Sequence, residues 1–255
     1  MIRWLLRRAS QGGNGTGATV APDFFALTDI GVKREENQDA VLATRLPDGR
    51  ILLAVADGVG GSEDGATASK TALECLETAA HQTGETETAL IDGYAAAHAT
   101  VGGLGNGERR PATTLVAALV EGSRAWIANV GDSRAYVAND GGLHQLTEDH
   151  SWVADQVRAG RLTADEARKS EMRNIITRAI GSSESPEPDL SGPLTLSSGQ
   201  TLVLTSDGLH GLVTQDEIAT VIADNEPDEA AQRLLQMARD AGGPDNISVV
   251  IYRAP

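Results

Sequence analysis

The run Ile51-Leu-Leu-Ala-Val-Ala56 is apolar at every position, and Asp57-Gly58 follows it directly. A strand with one face in water alternates apolar and polar residues, whereas a strand covered on both faces is apolar throughout. We therefore predict that this segment is a strand buried on both faces. Two packed sheets with helices outside them would provide that cover.

Short runs of apolar and β-branched residues on either side of this segment predict further strands. With the first one included, the predicted strands are 24–30, 40–44, 51–56, 114–120, 124–130, 133–138, 143–146, 194–196, 201–205 and 247–252. Only tight turns can join the four between residues 114 and 146, which indicates antiparallel pairing. Leu46-Pro-Asp-Gly-Arg50 is typical of a hairpin turn.

Helical patterns separate these groups of strands. We predict helices over 64–81 and 85–101, a polar and mainly helical segment over 147–181, and two helices near the end of the chain. Capping boxes at Thr163…Glu166 and Thr214…Glu217 mark two helix starts, and Pro227 and Gly242 bound the last helix. This order favours an α+β sandwich over a parallel βαβ sheet.

Composition limits the function classes. The net charge of −15 argues against nucleic acid as a partner, because phosphate backbones repel an acidic surface. The single Cys75 excludes an internal disulfide and fits a reducing compartment. No apolar run approaches the roughly 20 residues that span a bilayer, so a cytoplasmic protein is predicted. Residues 1–22 are predicted to be a flexible basic and Gly-rich extension, and residues 23–255 one domain.

Several acidic residues stand where predicted strands end. An Asp-Gly pair is first of all a turn signal, and Asp48 and Asp140 are well explained as hairpin turns. Asp57 and Asp207 differ, because each ends an apolar strand, where a carboxylate leaves water and needs a compensating cation.

Asp39, Asp132 and Asp245 occupy similar places beside strands. Together with Asp57 and Asp207 they make a shared, oxygen-rich site plausible. Carboxylates and carbonyls suit Mg²⁺ or Mn²⁺, whereas one Cys and five scattered His residues give no zinc spacing. Arg34 lies five residues before Asp39, and its guanidinium could grip a phosphate by two hydrogen bonds. The combination indicates phosphoester hydrolysis.

Six short motifs, in order, resemble those of the type-2C metal-dependent protein phosphatases. They are Thr28-Asp-Ile-Gly-Val-Lys-Arg-Glu-Glu-Asn-Gln-Asp39, Ala56-Asp-Gly-Val-Gly-Gly61, Thr113-Thr114, Val130-Gly-Asp-Ser-Arg-Ala-Tyr136, Thr205-Ser-Asp-Gly-Leu209 and Pro244-Asp-Asn246. Residues 147–181 are similar to the flap of the bacterial members. Each motif is weak alone, but the ordered series, over about residues 24–253, is specific.

The resemblance implies a four-layer α-β-β-α sandwich with the metal site at one end of two antiparallel sheets. It implies that Asp57 bridges two catalytic ions and that the Gly58 carbonyl binds the first of them. Asp207 and Asp245 would hold the second ion. Asp132, sharing Asp207, would hold a third ion near the flap.

The same resemblance implies hydrolysis of phosphoserine and phosphothreonine in proteins. Water held between two Mn²⁺ or Mg²⁺ ions would attack phosphorus. Asp39 would act through metal-bound water, and Arg34 would bind the phosphate. The implied partners are phosphorylated proteins and an opposing serine/threonine kinase. A monomer without stable membrane insertion is expected.

Two departures from the family pattern stand out. Val59, Gly60 and Gly61 occupy the positions where animal members place a His, so the proton donor to the leaving alkoxide is unassigned, with metal-bound water as our expectation. The flap reads Ser170-Glu171-Met172 in place of the frequent His-Pro. A non-enzymatic alternative is a pseudophosphatase that binds phosphoproteins on the same fold. Loss of a metal-binding Asp would mark it, and all of them are present.

Overall fold

A computed structural model describes residues 23–59, 63–105, 110–139, 141–182 and 187–255. The predicted extension over 1–22 and the predicted turn at Asp140 lie outside these ranges. The described strands are β1 Phe24–Asp29, β2 Asp39–Arg45, β3 Ile51–Val59, β4 Ala112–Thr113, β5 Leu115–Glu121, β6 Arg124–Val130, β7 Arg134–Asn139, β8 Gly142–Gln145, β9 Asp189–Thr195, β10 Thr201–Thr205 and β11 Ile247–Arg253. The described helices are α1 Glu63–Gln82, α2 Thr86–Gly103, α3 Trp152–Arg158, α4 Ala164–Lys169, α5 Asp207–His210, α6 Gln215–Asp224 and α7 Pro227–Asp240.

The strands form two antiparallel sheets. Sheet A has the order β1-β11-β10-β7-β8, and sheet B has the order β2-β3-β5-β6-β9, with β4 paired to β3. The predicted antiparallel pairing forms between β5 and β6 and between β7 and β8, but it is wrong for β6 and β7, because the short connection between them crosses from sheet B to sheet A. Asp48 forms the predicted turn, since its Oδ1 accepts the Arg50 backbone N–H at 3.0 Å.

Side-chain alternation sorts the core into three layers. In β3, Leu52, Ala54 and Ala56 pack against α1 and α2. The alternate residues of the same strand, such as Leu53 and Val55, pack between the two sheets. A third cluster lies between sheet A and helices α5, α6 and α7. The predicted α+β fold with four α-β-β-α layers is therefore confirmed, and β3 is buried on both faces as its composition indicated.

Helices α1 and α2 are tied closely to each other and to sheet B. The buried Tyr94 hydroxyl lies 2.9 Å from the Leu115 carbonyl oxygen and 2.7 Å from the Ala128 carbonyl oxygen, and its one O–H is shared between them. One residue earlier, a Cβ added to Gly93 would lie 2.7 Å from Leu76 Cδ1 and 3.1 Å from Leu76 Cα. The absence of a side chain at Gly93 therefore sets how near the two helices can approach.

Most local predictions are confirmed, and the prediction for residues 147–181 is wrong in part. Both capping boxes form, at Thr163 and at Thr214, and Pro227 begins α7. The segment 147–181 is not mainly helical, because α3 and α4 are short and the rest is turns with isolated β-bridges. Its backbone pairs instead with segments that are distant in the sequence, as in the bridge between Thr113 and Ile180. The short helix α5 was not predicted.

Within the described residues, no helix is long and apolar enough to cross a bilayer.

The close approach of α1 and α2 gives a stability prediction. We expect Gly93→Val to lower the free energy of unfolding by about 1–3 kcal/mol, because overpacking forces neighbouring groups to move. Gly103→Val, on the same helix with nothing within 4 Å of its added Cβ, is the matched control and should be near neutral. Chemical denaturation of both variants checks this, and an equal loss in both would contradict it.

Candidate metal centre

At one end of the sandwich, the positions that face between the sheets change from apolar to polar. In β2, Val41 and Ala43 pack between the sheets, and the same alternation places Asp39 there. In β3, Val55 packs between the sheets and Asp57 continues its row. Asp39 and Asp57 are register partners, so their carboxylates lie side by side on the inner face of sheet B.

The opposite sheet makes the same change. Leu204 and Val250 pack between the sheets, and Ser206 and Ser248 follow at the next inward positions. The Ser206 Oγ donates to Asp39 Oδ2 at 2.8 Å, and the Ser248 Oγ donates to the same atom at 2.6 Å. The other oxygen, Asp39 Oδ1, is buried and has no hydrogen-bond partner among the described residues.

The Asp57 backbone is fixed by two consecutive threonines. Its N–H donates to Thr114 Oγ1 at 3.0 Å. Its carbonyl accepts the Thr114 N–H and the Thr113 hydroxyl, both at 2.9 Å. Gly58 is buried in β3 opposite Thr113, which holds its backbone beside Asp57.

Asp207 follows β10 and Asp245 precedes β11 in sheet A, and a glycine allows these two segments to pack closely. A Cβ at Gly208 would lie 1.9 Å from the Asn246 carbonyl oxygen, so only glycine fits there. This close packing brings the start of α5 against the turn that precedes β11. The charge of Asp207 acts on Asp57, which links the acids of the two sheets electrostatically.

Arg34 lies in the loop between β1 and β2, and the side chain is 43% exposed. Its Nη2 donates to Asp245 Oδ2 at 2.8 Å. This hydrogen bond is the main reason that the Arg34 pKa is raised, with Asp57 and Asp207 adding to it by their charge. Arg34, the residue predicted to bind the phosphate, therefore lies at the rim of the acid cluster.

Asn246 holds that loop in place, and we did not predict this role. Its Oδ1 accepts the Gln38 N–H at 2.9 Å, and its Nδ2 donates to the carbonyls of Ile30, at 3.0 Å, and Glu36, at 2.9 Å. Asn246 is buried. One side chain thus satisfies three backbone groups of the segment that carries Arg34 and ends at Asp39.

Asp132 occupies the turn between β6 and β7 and is buried. Its Oδ1 has no hydrogen-bond partner among the described residues. The start of the flap (residues 147–181) holds this turn in place, because His150 and Gly131 form two hydrogen bonds. The Gly131 N–H donates to His150 Nδ1, and the His150 N–H donates to the Gly131 carbonyl, both at 3.0 Å.

His150 was not among the predicted residues either. Its Nδ1 accepts a hydrogen bond, and its Nε2 lies 3.0 Å from Asp189 Oδ2 and 2.8 Å from Arg178 Nη1. Burial lowers the His150 pKa, which favours the neutral form of the ring. The ring therefore links the turn of Asp132 to strand β9.

Burial dominates the electrostatics of the acids. It raises the pKa of Asp39 to about 7 and that of Asp132 to about 8. It also raises the pKa of Asp57 well above its ordinary value, with the Asp39 charge as the next cause. The Asp207 pKa is raised first by burial and then by Asp245. The structure thus brings the five predicted acids into one electrostatically linked group.

The donor chemistry of this group fits divalent cations. Within the described parts of the chain, no three acidic, His or Cys side chains converge on one point as a finished set of metal ligands would. Even so, two carboxylate oxygens, Asp39 Oδ1 and Asp132 Oδ1, are buried without a hydrogen-bond donor. A buried anionic oxygen needs a donor or a cation, and oxygen ligands are those that Mg²⁺ and Mn²⁺ prefer.

Comparison with known proteins agrees with this chemistry. The family model for protein phosphatase 2C matches residues 31–247. The protein phosphatase PhpP of Streptococcus pneumoniae is 36% identical over 237 residues, which cover 90% of this chain and 96% of PhpP.

Solved structures resemble most of the chain. The S. agalactiae serine/threonine phosphatase superimposes with a TM-score of 0.84 at 34% identity, covering 90% of this chain and 98% of that one. The catalytic domain of the serine/threonine protein phosphatase PstP, solved in complex with two manganese ions, gives a TM-score of 0.77 at 34% identity, covering 90% and 96%.

The contacts of Asn246 predict a large effect of its removal. Asn246→Ala removes the side chain that binds three backbone groups, so we expect a loss of about 2–4 kcal/mol in the free energy of unfolding. Asn225→Ala is the matched control, since its buried side chain makes a single bond, to the Val221 carbonyl. That variant should lose about 1 kcal/mol. Denaturation of the ion-free proteins measures both, and equal losses would refute the anchoring role.

Proposed function

Because this chain belongs to the protein phosphatase 2C family, we propose that it is a metal-dependent serine/threonine protein phosphatase whose metal centre is the acid cluster at the end of the two sheets. One observation carries the location: Asp39 and Asp57 are paired on the inner face of one sheet, and the sheet that carries Asp207 and Asp245 binds Asp39 through Ser206 and Ser248. Water breaks the phosphorus–oxygen bond of phosphoserine or phosphothreonine and releases phosphate and the protein hydroxyl.

Divalent ions bound in this cluster supply a Lewis acid that lowers the pKa of water and neutralises charge on the phosphoryl group. Asp57 would be the ligand shared between two ions, and the threonines at 113 and 114 would hold its backbone in place for that role. The Gly58 carbonyl would complete the first ion site. Asp207 and Asp245 would complete the second.

Arg34 and Asp39 act on the reacting groups. Arg34 uses Nη2 for Asp245, and a guanidinium has five N–H donors, so others can bind a phosphate oxygen. The Arg34–Asp245 pair thus sets the phosphate against the second ion site. Asp39 keeps one unpaired oxygen, which can accept a hydrogen bond from the attacking water.

Asp132 would hold a third ion. The charge of Asp207 acts on it, and its own second oxygen is buried and unpaired. Mn²⁺ or Mg²⁺ suits all three positions, since the ligands are oxygen atoms.

The natural substrates in this proposal are phosphorylated proteins, and the enzyme works as a monomer that opposes a serine/threonine kinase. Support comes from the relatives, which are named as protein or serine/threonine phosphatases and match this chain over about nine-tenths of its length.

Metal removal tests the proposal directly. Hydrolysis of p-nitrophenyl phosphate and of a phosphothreonine peptide should need Mn²⁺ or Mg²⁺, stop on addition of a chelator and return when the ion is restored. The ion-loaded protein should also melt at a higher temperature, because ions bound only by the native state stabilise it. Turnover that survives exhaustive chelation would exclude a metal centre, and ion-independent phosphopeptide binding without turnover would favour the pseudophosphatase.

The acids should separate into two classes. We expect Asp57→Asn, Asp207→Asn and Asp245→Asn each to lower kcat at least about a hundredfold, because the metal centre supplies several kcal/mol of transition-state stabilisation. Asp132→Asn should keep the tight ion pair and lose only a weaker third ion. Asp224→Asn, at an exposed position on α6, is the control and should be unchanged.

Steady-state kinetics with p-nitrophenyl phosphate and calorimetric Mn²⁺ titration measure both properties. In the same assay, Arg34→Ala should mainly raise KM and weaken inhibition by phosphate, because it removes a contact already made in the ground state. If Asp132→Asn lost the tight ions while Asp245→Asn kept them with near-normal kcat, the assignment of ligands would be wrong.

A further inference from the structure

The Asp39 carboxylate is held across the gap between the sheets by one of its two oxygens. Ser206 and Ser248 are both fully buried, and both hydroxyls donate to Oδ2. The two serines are also joined to each other, because the Ser248 N–H donates to Ser206 Oγ at 3.0 Å. Thr28 Oγ1 lies 2.8 Å from Ser248 Oγ and extends the chain of hydroxyls to β1. This network leaves the carboxylate little freedom to rotate.

The second carboxylate oxygen of Asp39, Oδ1, is not held by hydrogen bonds from the described part of the chain. Asp39 Oδ1 is equally buried, yet no described residue donates a hydrogen bond to it. The charges that act on Asp39 are those of Asp207 and Asp245, and its register partner is Asp57. Asp39 Oδ1 is therefore available to the metal centre, whereas Asp39 Oδ2 is held by the surrounding strands.

We propose, on the basis of the function proposed above, that Ser206 and Ser248 are positioning residues for hydrolysis. By holding Oδ2 they direct Oδ1 at the attacking water. Oδ1 accepts a hydrogen bond from one O–H of that water. This orients the water so that a lone pair of the water oxygen points towards phosphorus. The serines touch neither substrate nor ions, and act only through Asp39.

A positioning role of the two serines differs from a purely structural role in one measurable respect. If the serines merely satisfied a buried acid, their loss would weaken folding and reduce activity whether or not Asp39 could orient water. If they act through Asp39, their loss should have no further effect on kcat once the Oδ1 acceptor has been removed. A double-mutant cycle detects this difference, because residues that act as one unit are not additive.

The cycle uses Ser206→Ala and Ser248→Ala, each alone and combined with Asp39→Asn, which keeps the shape of the side chain. We expect each serine variant to lower kcat for p-nitrophenyl phosphate about tenfold at saturating Mn²⁺, since a small misplacement of a reacting group is costly. KM should change less than twofold. In the Asp39→Asn background, which itself has a low kcat, the same serine changes should cause less than a twofold further loss.

Two measurements keep folding and ion binding apart from positioning. Calorimetric Mn²⁺ titration of each serine variant should give the tight affinities of the unchanged protein within twofold. Asn225→Ala removes the hydrogen bond of a buried side chain near Arg253, at the opposite end of β11 from Ser248, so it should lower the melting temperature but leave kcat unchanged. If an alanine variant does not fold, Ser206→Cys or Ser248→Cys takes its place, because a thiol fills the space but is a weak donor.

Three results would overturn the inference: equal losses of kcat in both backgrounds, a normal kcat in Asp39→Asn, or loss of the tight ions in the serine variants. These are distinct from failure of the proposed function, in which the unchanged protein itself would show no ion-dependent hydrolysis.

Discussion

A carboxylate buried between two sheets is the constraint on which this structure depends. Removing such a group from water is costly unless donors or cations compensate it. Ser206 and Ser248 provide two donors to Asp39 from the opposite sheet. These bonds replace apolar packing at this end of the sandwich and fix the separation of the sheets there. The acids of the metal centre, which come from both sheets, are placed by that separation.

The sequence predicts the α+β sandwich because strand and helix patterns are local, and it draws attention to the five acids because each stands beside a strand. An unbroken apolar run shows that β3 is covered on both faces, and an acid at its end is conspicuous. Asn246 was missed because its partners are more than 200 residues away, and an Asn before a strand reads only as a turn. Ser206 and Ser248 did carry a signal, since they continue the inward-facing rows of their strands with polar atoms.

The flap shows a different limit of sequence patterns. Residues 147–181 contain helix caps and polar residues, and a mainly helical segment was predicted. In the structure, its two ends pair with the turn of Gly131 and with Thr113, next to the backbones of Asp132 and Asp57. Hydrogen bonds to distant chain thus take precedence over local propensity, and they attach the flap to both sides of the metal centre.

The strand order of sheet A has a consequence for biosynthesis. Strand β11 is the last in the domain, yet it lies between β1 and β10 and brings Asp245, Asn246 and Ser248 with it. Pairing of the first strand with the last is a contact of very long range, which slows folding. A chain still emerging from the ribosome therefore lacks an interior strand of this sheet and one acid of the cluster, Asp245. Catalytic competence arrives only when synthesis of the domain has ended.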